Sequence, residues 1–318
     1  MRALVLGVNG QDGSFLAENL IRRGYQVIGI GRQNSSLYVR PENSFRYICA
    51  DLCDTYALES VLKESAPDVI FHVAAVHGSA GTPYEEVFQK MLAVNMGSVQ
   101  IILEYQRTNA PNSIFLYASS GKVFGPVYPQ YITESSPRRT SCLYTITKMG
   151  AQGVIDCYRE RYGVQASSLF LFNHESDRRP REYFIPIVLE ILRKSMVDPT
   201  FQNGVNTLQF YCDWGSAEEY MDIAIDIAEK SPGEDFVFGS GNTWWAEKFV
   251  EALFYRHGLD YRNHIIEKNK SSAASRDSSP TYHVDTMKLR TLLGRAPHID
   301  IMGVCERILE NEVRPENG

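Results

Sequence analysis

Short apolar runs alternate with amphipathic segments along the first half of the chain. The apolar runs predict buried strands at 3–6, 26–30, 47–50, 69–74, 113–118 and 165–172. Segments whose apolar positions recur at helical spacing predict helices at 14–23, 57–64, 86–106 and 144–162. Strands and helices that alternate in this order are typical of a parallel sheet with helices on both faces.

After about residue 173 the alternation loosens, and the elements become shorter. Prolines interrupt the pattern at 180, 186, 199, 232 and 280, and helices are predicted only at 218–229 and 246–255. The pattern therefore predicts a large α/β domain followed by a smaller α/β domain.

A glycine-rich turn follows the first predicted strand and opens the first predicted helix. It reads Gly7-Val8-Asn9-Gly10-Gln11-Asp12-Gly13, with glycines three residues apart. Glycines let a backbone approach a pyrophosphate closely, and a helix N-terminus offers oriented N–H groups. Because the strand and the helix are both in place, the turn predicts a dinucleotide site rather than an ordinary glycine turn.

The end of the second strand favours NADP over NAD. NAD-binding folds place an acidic residue there, which binds the ribose hydroxyls. Residues 29–36 contain no acid. Arg32 can instead pair with a 2′-phosphate, and Ser35 and Ser36 can bond to it.

Together with these motifs, the order of strands and helices predicts the domains. We expect a Rossmann-type doubly wound parallel sheet that binds NADP in residues 1–172, with 205–240 returning to it. Residues 173–204 and 241–318 then form a smaller C-terminal α/β substrate domain.

Tyr144 and Lys148 lie four residues apart on a predicted helix, so their side chains share one face. A nearby ammonium favours the phenolate, which can take a proton from a substrate hydroxyl. Upstream, the strand at 113–118 ends in Ser119-Ser120-Gly121, and the Ser120 hydroxyl can orient the same substrate oxygen. The order of glycine turn, serine and Tyr-Lys pair indicates a nicotinamide-dependent dehydrogenase.

Composition excludes several classes of binding partner and site. The 318 residues carry a formal net charge of -6, which argues against nucleic acid and anionic membranes. The six cysteines are scattered without a CxxC pair, so we expect neither disulfides nor a metal site. With no apolar run long enough to span a bilayer, we expect a cytoplasmic protein.

Longer strings carry a resemblance to a known family. Residues 7–20, GVNGQDGSFLAENL, and 171–176, LFNHES, are followed by Asp213-Trp214-Gly215. The chain resembles the extended short-chain dehydrogenases/reductases over nearly its whole length, and within them it is most similar to the GDP-mannose 4,6-dehydratase family.

The resemblance implies a GDP-linked sugar as substrate and a homodimer or homotetramer as assembly. It implies further cofactor contacts at Asp51, Leu52, Ala74 and His174. It also implies substrate contacts at Ser79, Asn173, Glu175, Arg178, Arg179 and Arg276.

The reaction that the resemblance implies is an internal redox cycle of deoxysugar biosynthesis. Tyr144 takes the O4 proton while C4 gives hydride to NADP. A carboxylate then removes the C5 proton, water leaves from C6, and the hydride returns to C6.

One position departs from this pattern. Aligned on Gly125, Lys122 occupies the place of the family's glutamate base, and a protonated lysine cannot remove the C5 proton. Three interpretations stay open. In the first, the chain is a dehydratase (a lyase) whose base is a neutral Lys122 amine, Glu175 or Glu134. In the second, it has lost elimination and works as a 4-ketoreductase (an oxidoreductase) or an epimerase. In the third, it binds NADP without turnover. The Ser-Ser-Gly string resembles GDP-4-keto-6-deoxymannose reductases, which favours the second.

Overall fold

The computed structural model describes residues 1–78, 83–269 and 281–313, with side chains up to 311. The described strands are β1 (Arg2–Leu6), β2 (Gln26–Gly31), β3 (Phe45–Cys49), β4 (Val69–His72), β5 (Ile114–Ala118), β6 (Tyr131–Ile132), β7 (Gln165–Leu171), β8 (Asn173–Glu175), β9 (Asn203–Val205), β10 (Tyr211–Ser216), β11 (Phe236–Phe238), β12 (Thr243–Trp245), β13 (Ile265–Glu267) and β14 (His283–Val284). The described α-helices are α1 (Gln11–Arg22), α2 (Thr55–Ser65), α3 (Tyr84–Met91), α4 (Ser98–Asn109), α5 (Leu143–Tyr162), α6 (Phe184–Val197), α7 (Ala217–Lys230), α8 (Ala246–Arg256), α9 (Met287–Leu293) and α10 (Ile301–Val313).

Seven parallel strands form the main sheet, in the order β3-β2-β1-β4-β5-β7-β11. The order reverses at β1, where Leu6 pairs with Ile30 on one side and with His72 on the other. Ligands of open α/β sheets bind at such a switch point, beyond the carboxyl ends of the strands. The predicted fold class, a Rossmann-type doubly wound parallel sheet, is confirmed.

Helices cover both faces of this sheet, so its central strands are largely apolar. Residues 3–6 of β1 are fully buried. One face packs against α1 and α7 through residues such as Leu20 and Ile223. The other packs against α2, α4 and α5 through residues such as Leu62, Ile102 and Ile155. Burial on both faces explains why β1 lacks the apolar–polar alternation of a half-exposed strand.

The predicted helix at 86–106 is observed as α3 and α4, joined without a break by a π-helical segment, Leu92–Gly97. Asn95 lies in this segment and is fully buried. Its Oδ1 accepts from the Val76 amide at 2.8 Å, and its Nδ2 donates to the Val76 carbonyl at 2.9 Å and to Thr147 Oγ1 at 3.1 Å. The wide π turn thus connects the loop after β4 to α5.

A second, smaller core lies in the C-terminal part of the chain. A three-stranded sheet, β12-β10-β8, and the pair β13-β9 surround it together with α6, α8 and α10. Trp214 is buried there between Phe184, Phe210 and Phe249. The strand β11 lies in the large sheet, whereas the domain boundaries themselves stay a prediction.

No helix between residues 1 and 313, outside the gaps at 79–82 and 270–280, is long and apolar enough to cross a membrane. The same residues hold no group of three or more His, Cys, Asp or Glu side chains arranged to bind a metal ion.

Candidate functional site

A cleft of about 610 Å³ runs along the carboxyl ends of the central strands, at the point where the strand order reverses. Most of the predicted site residues line it. They are Gly7, Asn9, Gly10, Gln11, Asp12, Gly13, Arg32, Asp51, Leu52, Ala74, Ser120, Lys122, Tyr144, Lys148, Asn173, His174 and Arg179. The fold therefore gathers residues from the whole first half of the chain and from β8 around one cavity.

The glycine turn leaves room for a ligand backbone. Gly7 has φ +94°, and a Cβ there would approach the Ala74 amide nitrogen to 2.8 Å. A Cβ on Gly13 would collide with the Gly7 carbonyl, so α1 can pack closely on β1 only with glycine at this position. Gly10 caps α1 without a side chain, so no capping group competes for the amides of the first turn. This cradle fits the pyrophosphate of a nicotinamide dinucleotide.

Asn9 fixes the loop after β2. Its Nδ2 donates to Gln33 Oε1 and to the Ser35 carbonyl, both at 3.0 Å, and its Oδ1 accepts from the Leu37 amide at 3.0 Å. The side chains of Ser35 and Ser36 are not among the residues that line the cleft. Their predicted bonds to a 2′-phosphate stay a prediction.

Two cations lie at the far end of the cleft. Arg32 and Lys90 both line it, beside Asp51. The Cys53 amide donates to Asp51 at 3.0 Å; this bond, aided by the charges of Lys90 and Arg32, lowers the pKa of Asp51. An additional phosphate at this end would meet two cations and one carboxylate.

Ser120, Tyr144 and Lys148 meet at the other end, where β5 gives way to a short 3-10 turn. The Ser120 side chain lies near enough to the Tyr144 phenol to lower its pKa. Lys148 is buried, its Nζ donates to the Ala118 carbonyl at 2.6 Å, and it lies 5.7 Å from the centre of the Tyr144 ring. The three predicted groups therefore share one position in the cleft.

Burial shifts the pKa values of Tyr144 and Lys148. The sequence predicts that Lys148 lowers the pKa of Tyr144. In the protein without ligand, burial raises the pKa of Tyr144 instead, and the nearby Ser120 side chain lowers it only in part. Burial also lowers the pKa of Lys148 to about 7, against the charge of Asp12. Desolvation therefore sets the direction of the Tyr144 pKa in the protein without ligand, and the role of the Tyr144–Lys148 pair in proton transfer stays a prediction.

Asp12 and His174 form a pair that the sequence gives no sign of, since 162 positions separate them. His174 Nε2 lies 2.9 Å from Asp12 Oδ1, and His174 Nδ1 donates to the Phe172 carbonyl at 2.7 Å. Burial disfavours the imidazolium, but the Asp12 charge and hydrogen bond outweigh it and raise the pKa of His174. The pair neutralises the carboxylate nearest to the pyrophosphate cradle.

His77, Lys122 and Tyr84 form a second cluster, against Tyr144. His77 Nδ1 lies 2.7 Å from the Gly78 carbonyl and donates to it, so Nε2 is the acceptor. Lys122 Nζ lies 3.1 Å and the Tyr84 hydroxyl 3.0 Å from this Nε2. The His77 ring stands edge-on to Tyr144, with centroids 4.6 Å apart. Burial, and then the charge of Lys122, lowers the pKa of His77 to about 4.

The candidate replacement bases are engaged elsewhere. Glu175 is buried outside the cleft lining and pairs with Arg179 Nε at 3.4 Å. Glu134 also lies outside the lining and accepts from the Val237 amide at 3.0 Å. Among the described lining residues, the carboxylates are Asp12, which pairs with His174, and Asp51 at the far end. Lys122 is exposed to solvent, so burial does not make it a neutral amine.

The remaining predicted contacts are spread out. Arg178 binds Glu18 at 2.8 Å and lies over the Phe15 ring at 4.1 Å, away from the cleft lining. Ser79 and Arg276 lie outside the described residues. Their substrate contacts stay predictions.

Sequence reasoning assigned no role to several lining residues, chiefly His77, Lys90 and Tyr183. For His77, its place after β4 was a usable signal, because parallel strands end at the switch point. Lys90 lies in α3 and Tyr183 immediately before α6, and the residue spacing at neither position indicates a neighbouring cleft.

Comparisons with known proteins agree with this geometry. The family model described as GDP-mannose 4,6 dehydratase matches residues 4–306. The GDP-mannose 4,6-dehydratase of Yersinia enterocolitica is 30% identical over 275 residues, which cover 81% of this chain and 73% of the relative.

Solved structures reproduce the fold over nearly the whole chain. The UDP-glucose 4-epimerase of Thermotoga maritima, solved with UDP-glucose, has a TM-score of 0.80 at 18% identity and covers 99% of this chain and 100% of its own. The dTDP-glucose 4,6-dehydratase of Bacillus anthracis, in complex with NAD, has a TM-score of 0.79 at 16% identity and covers 98% of each chain.

Proposed function

Because the chain belongs to the GDP-mannose 4,6 dehydratase family of extended short-chain dehydrogenases/reductases, we propose that it oxidises and re-reduces C4 of a GDP-linked sugar without eliminating water. Family members and structural neighbours are nucleotide-sugar dehydratases and epimerases, so the chain is an enzyme of this type. One observation carries the departure from the family reaction. The described residues around Tyr144 present cations, and no carboxylate, to a substrate.

The cofactor in this proposal is NADP. Arg32 and Lys90 flank the end of the cleft where a 2′-phosphate would lie, and the glycine cradle accommodates the pyrophosphate. When bound, NADP accepts a hydride from sugar C4 and returns it. The chain's own residues supply the proton transfers and the orientation.

Ser120 and Tyr144 handle the O4 proton. Ser120 lies near the Tyr144 phenol, and the two groups orient the sugar hydroxyl between them. Tyr144 accepts the O4 proton as C4 loses its hydride, which leaves a ketone, and the charge of Lys148 stabilises the developing phenolate. In the return step Tyr144 gives the proton back to O4. Return of the hydride to the opposite face of C4 gives the C4 epimer, with composition unchanged.

Elimination needs a base for the C5 proton, and the cluster at this position is a poor one. The side chain at this position is the Lys122 amine rather than a carboxylate, and its Nζ lies 3.1 Å from His77 Nε2. His77 is neutral, but its acceptor nitrogen already receives Lys122 and Tyr84, and its pKa of about 4 makes it a weak base. Family membership keeps dehydration as the second candidate function.

Mass spectrometry separates the two functions. The purified protein is incubated with GDP-mannose and catalytic NADP in D₂O, and products are separated and identified by NMR. We expect an isomer of unchanged mass and no deuterium on carbon, because the hydride returns from the cofactor. Loss of one water together with one deuterium on C5 would instead establish the dehydratase. Stoichiometric NADPH consumption with the 4-keto-6-deoxy sugar would establish the ketoreductase.

Lys122→Glu tests the missing base directly. We expect the variant to lose water from GDP-mannose about 10²-fold faster than the parent protein, the lower end of what one positioned general base contributes. Lys122→Gln is the matched control, since it removes the charge without adding a base. Equal rates in the two variants would show that the carboxylate is not what limits elimination.

Arg32→Asp tests the cofactor assignment. We expect the Kd for NADP to rise about 100-fold, the value of one charge-assisted contact, while the Kd for NAD changes little or falls. Arg46→Asp is the control, because Arg46 is exposed on the neighbouring strand and does not line the cleft. Fluorescence titration measures both constants, and equal loss of NADP and NAD affinity would contradict the assignment.

The proposal includes a cytoplasmic homo-oligomer. The helices α3, α4 and α5 pack side by side on one face of the large sheet, where they offer a broad helical surface to a second copy. Light scattering after size exclusion would give the mass of the assembly.

A further inference from the structure

We propose that Tyr183 is a specificity residue whose phenol donates a hydrogen bond to a sugar hydroxyl near C4, either on C3 or on C6. A fully hydroxylated hexose is then preferred over the deoxy sugar that lacks this hydroxyl. The inference rests on the proposed C4 chemistry and names a feature of its substrate. It concerns a lining residue that the C4 step does not use.

Tyr183 lies in the same cleft as the group that transfers the O4 proton. It stands immediately before α6 and lines the cleft together with Tyr144 and Pro180. Burial is the main cause of the raised pKa of Tyr144, and the Tyr183 phenol is close enough to add to it. A hexose whose O4 meets Tyr144 therefore brings the hydroxyls of its neighbouring carbons toward Tyr183.

The Tyr183 hydroxyl is available to a ligand. Tyr47 and Tyr158 are also half-buried, and their hydroxyls donate to the Gln33 carbonyl at 2.6 Å and to Glu104 at 2.9 Å. Tyr183 is half-buried too, but its hydroxyl bonds to none of the residues that the structure describes. A phenol that lines a cleft in this way can both donate to and accept from a bound molecule.

Arg179 fixes the Tyr183 ring and is itself already paired. Its guanidinium lies 3.9 Å from the centre of the Tyr183 ring, in a cation–π contact. Its Nε pairs at 3.4 Å with Glu175, a buried carboxylate of β8. The Tyr183 amide also donates to the Pro180 carbonyl at 3.2 Å. The ring is therefore held in place before a ligand arrives, so little conformational entropy is lost when its hydroxyl binds.

The chemistry of this group suits a neutral hydroxyl. A phenol both donates and accepts without a formal charge, which matches a sugar hydroxyl. A site built to bond to a substrate hydroxyl rejects the analogue that lacks it, because the protein group is left unpaired. Tyr183 is only half-buried, so water replaces part of the lost bond and the preference is moderate.

The experiment measures kcat/KM for GDP-mannose and for its 3-deoxy and 6-deoxy analogues, in the parent protein and in Tyr183→Phe. We expect the variant to lose about tenfold in kcat/KM for GDP-mannose, as expected for one neutral hydrogen bond. It should lose nothing for the analogue that lacks the hydroxyl bound by Tyr183, whereas the other analogue should respond as GDP-mannose does. Tyr255→Phe, exposed on α8, is the matched control and keeps the parent values.

The outcomes separate this inference from the proposed function. If Tyr183→Phe matches the parent protein with GDP-mannose, the inference is overturned while the C4 chemistry stands. An equal loss for all three sugars, or an equal loss of NADP affinity, would show that Tyr183 acts elsewhere and would also overturn it. If NADP binds but no sugar reacts, the proposed function fails, and equilibrium binding of the three sugars decides the inference. Kd values that the substitution leaves unchanged, or raises alike for all three sugars, would then count against it.

Discussion

Tyr144→Phe is expected to lower kcat for C4 oxidation by about 10³-fold, at the upper range of what a positioned general base contributes. The phenol is buried at the end of the cleft, near Ser120 and beside Lys148. Phenylalanine fills the same space and removes only the oxygen that takes the O4 proton. Appearance of NADPH in single-turnover absorbance measures the step.

Two further measurements test whether the loss of activity comes from the missing Tyr144 hydroxyl. The Kd for NADP should stay within a few-fold of the parent value, because the ring itself is retained. Tyr158→Phe, on the same helix, removes a hydroxyl that bonds to Glu104 at 2.9 Å outside the cleft, and it should leave the rate intact. A fully active Tyr144→Phe protein would assign the proton transfer to another group.

Lys148→Met is expected to lower kcat/KM by about 10³-fold and yet to stabilise the cofactor-free protein. Activity falls because the variant loses the ammonium that stabilises the phenolate. Stability rises because burial lowers the pKa of Lys148 to about 7, so the folded protein bears the cost of a desolvated amine. The lost bond to the Ala118 carbonyl offsets part of this gain. We expect a net gain of about 2 kcal/mol near pH 7.

The pH dependence identifies the cause of that gain. The unfolded lysine keeps its proton up to about pH 10.4, whereas folded Lys148 loses it near pH 7. Between these values the unfolded state binds more protons, so this residue makes parent stability rise with pH by about 1.4 kcal/mol per unit. The advantage of Lys148→Met should be full below pH 7 and gone by about pH 10.4. A pH-independent difference in urea unfolding would point to packing instead.

The large sheet could be predicted from sequence because its strands are buried on both faces and stand out as apolar runs. In the C-terminal part, the sequence predicted the helices α7 and α8 but not the short strands or α6. Pro186 suggested an interruption, but it lies in the first turn of α6, where a missing N–H costs nothing. Strands of two or three residues, such as β6 and β14, leave no periodic signal at all.

The site residues likewise fall into those that sequence spacing reveals and those that it does not. The glycine turn and the Tyr144–Lys148 pair are local in sequence, so spacing alone reveals them. The contact of His77 with Lys122 spans 45 positions, and the pairing of Arg178 with Glu18 spans 160. Burial also sets the direction in which the pKa of Tyr144 shifts, and a sequence motif does not show how deeply its residues are buried.

The amide of Asn95 has a consequence for how the active site is organised. One side chain binds both backbone groups of Val76, beside His77, and also the hydroxyl of Thr147, beside Lys148. The Tyr117 hydroxyl, from the central sheet, donates to the Asn95 carbonyl at 2.6 Å and anchors the residue that makes these bonds. Loop, helix and sheet are thereby locked into one preorganised frame. The donors that meet the sugar need little reorganisation when it arrives, and substrate binding energy is left for the chemical step.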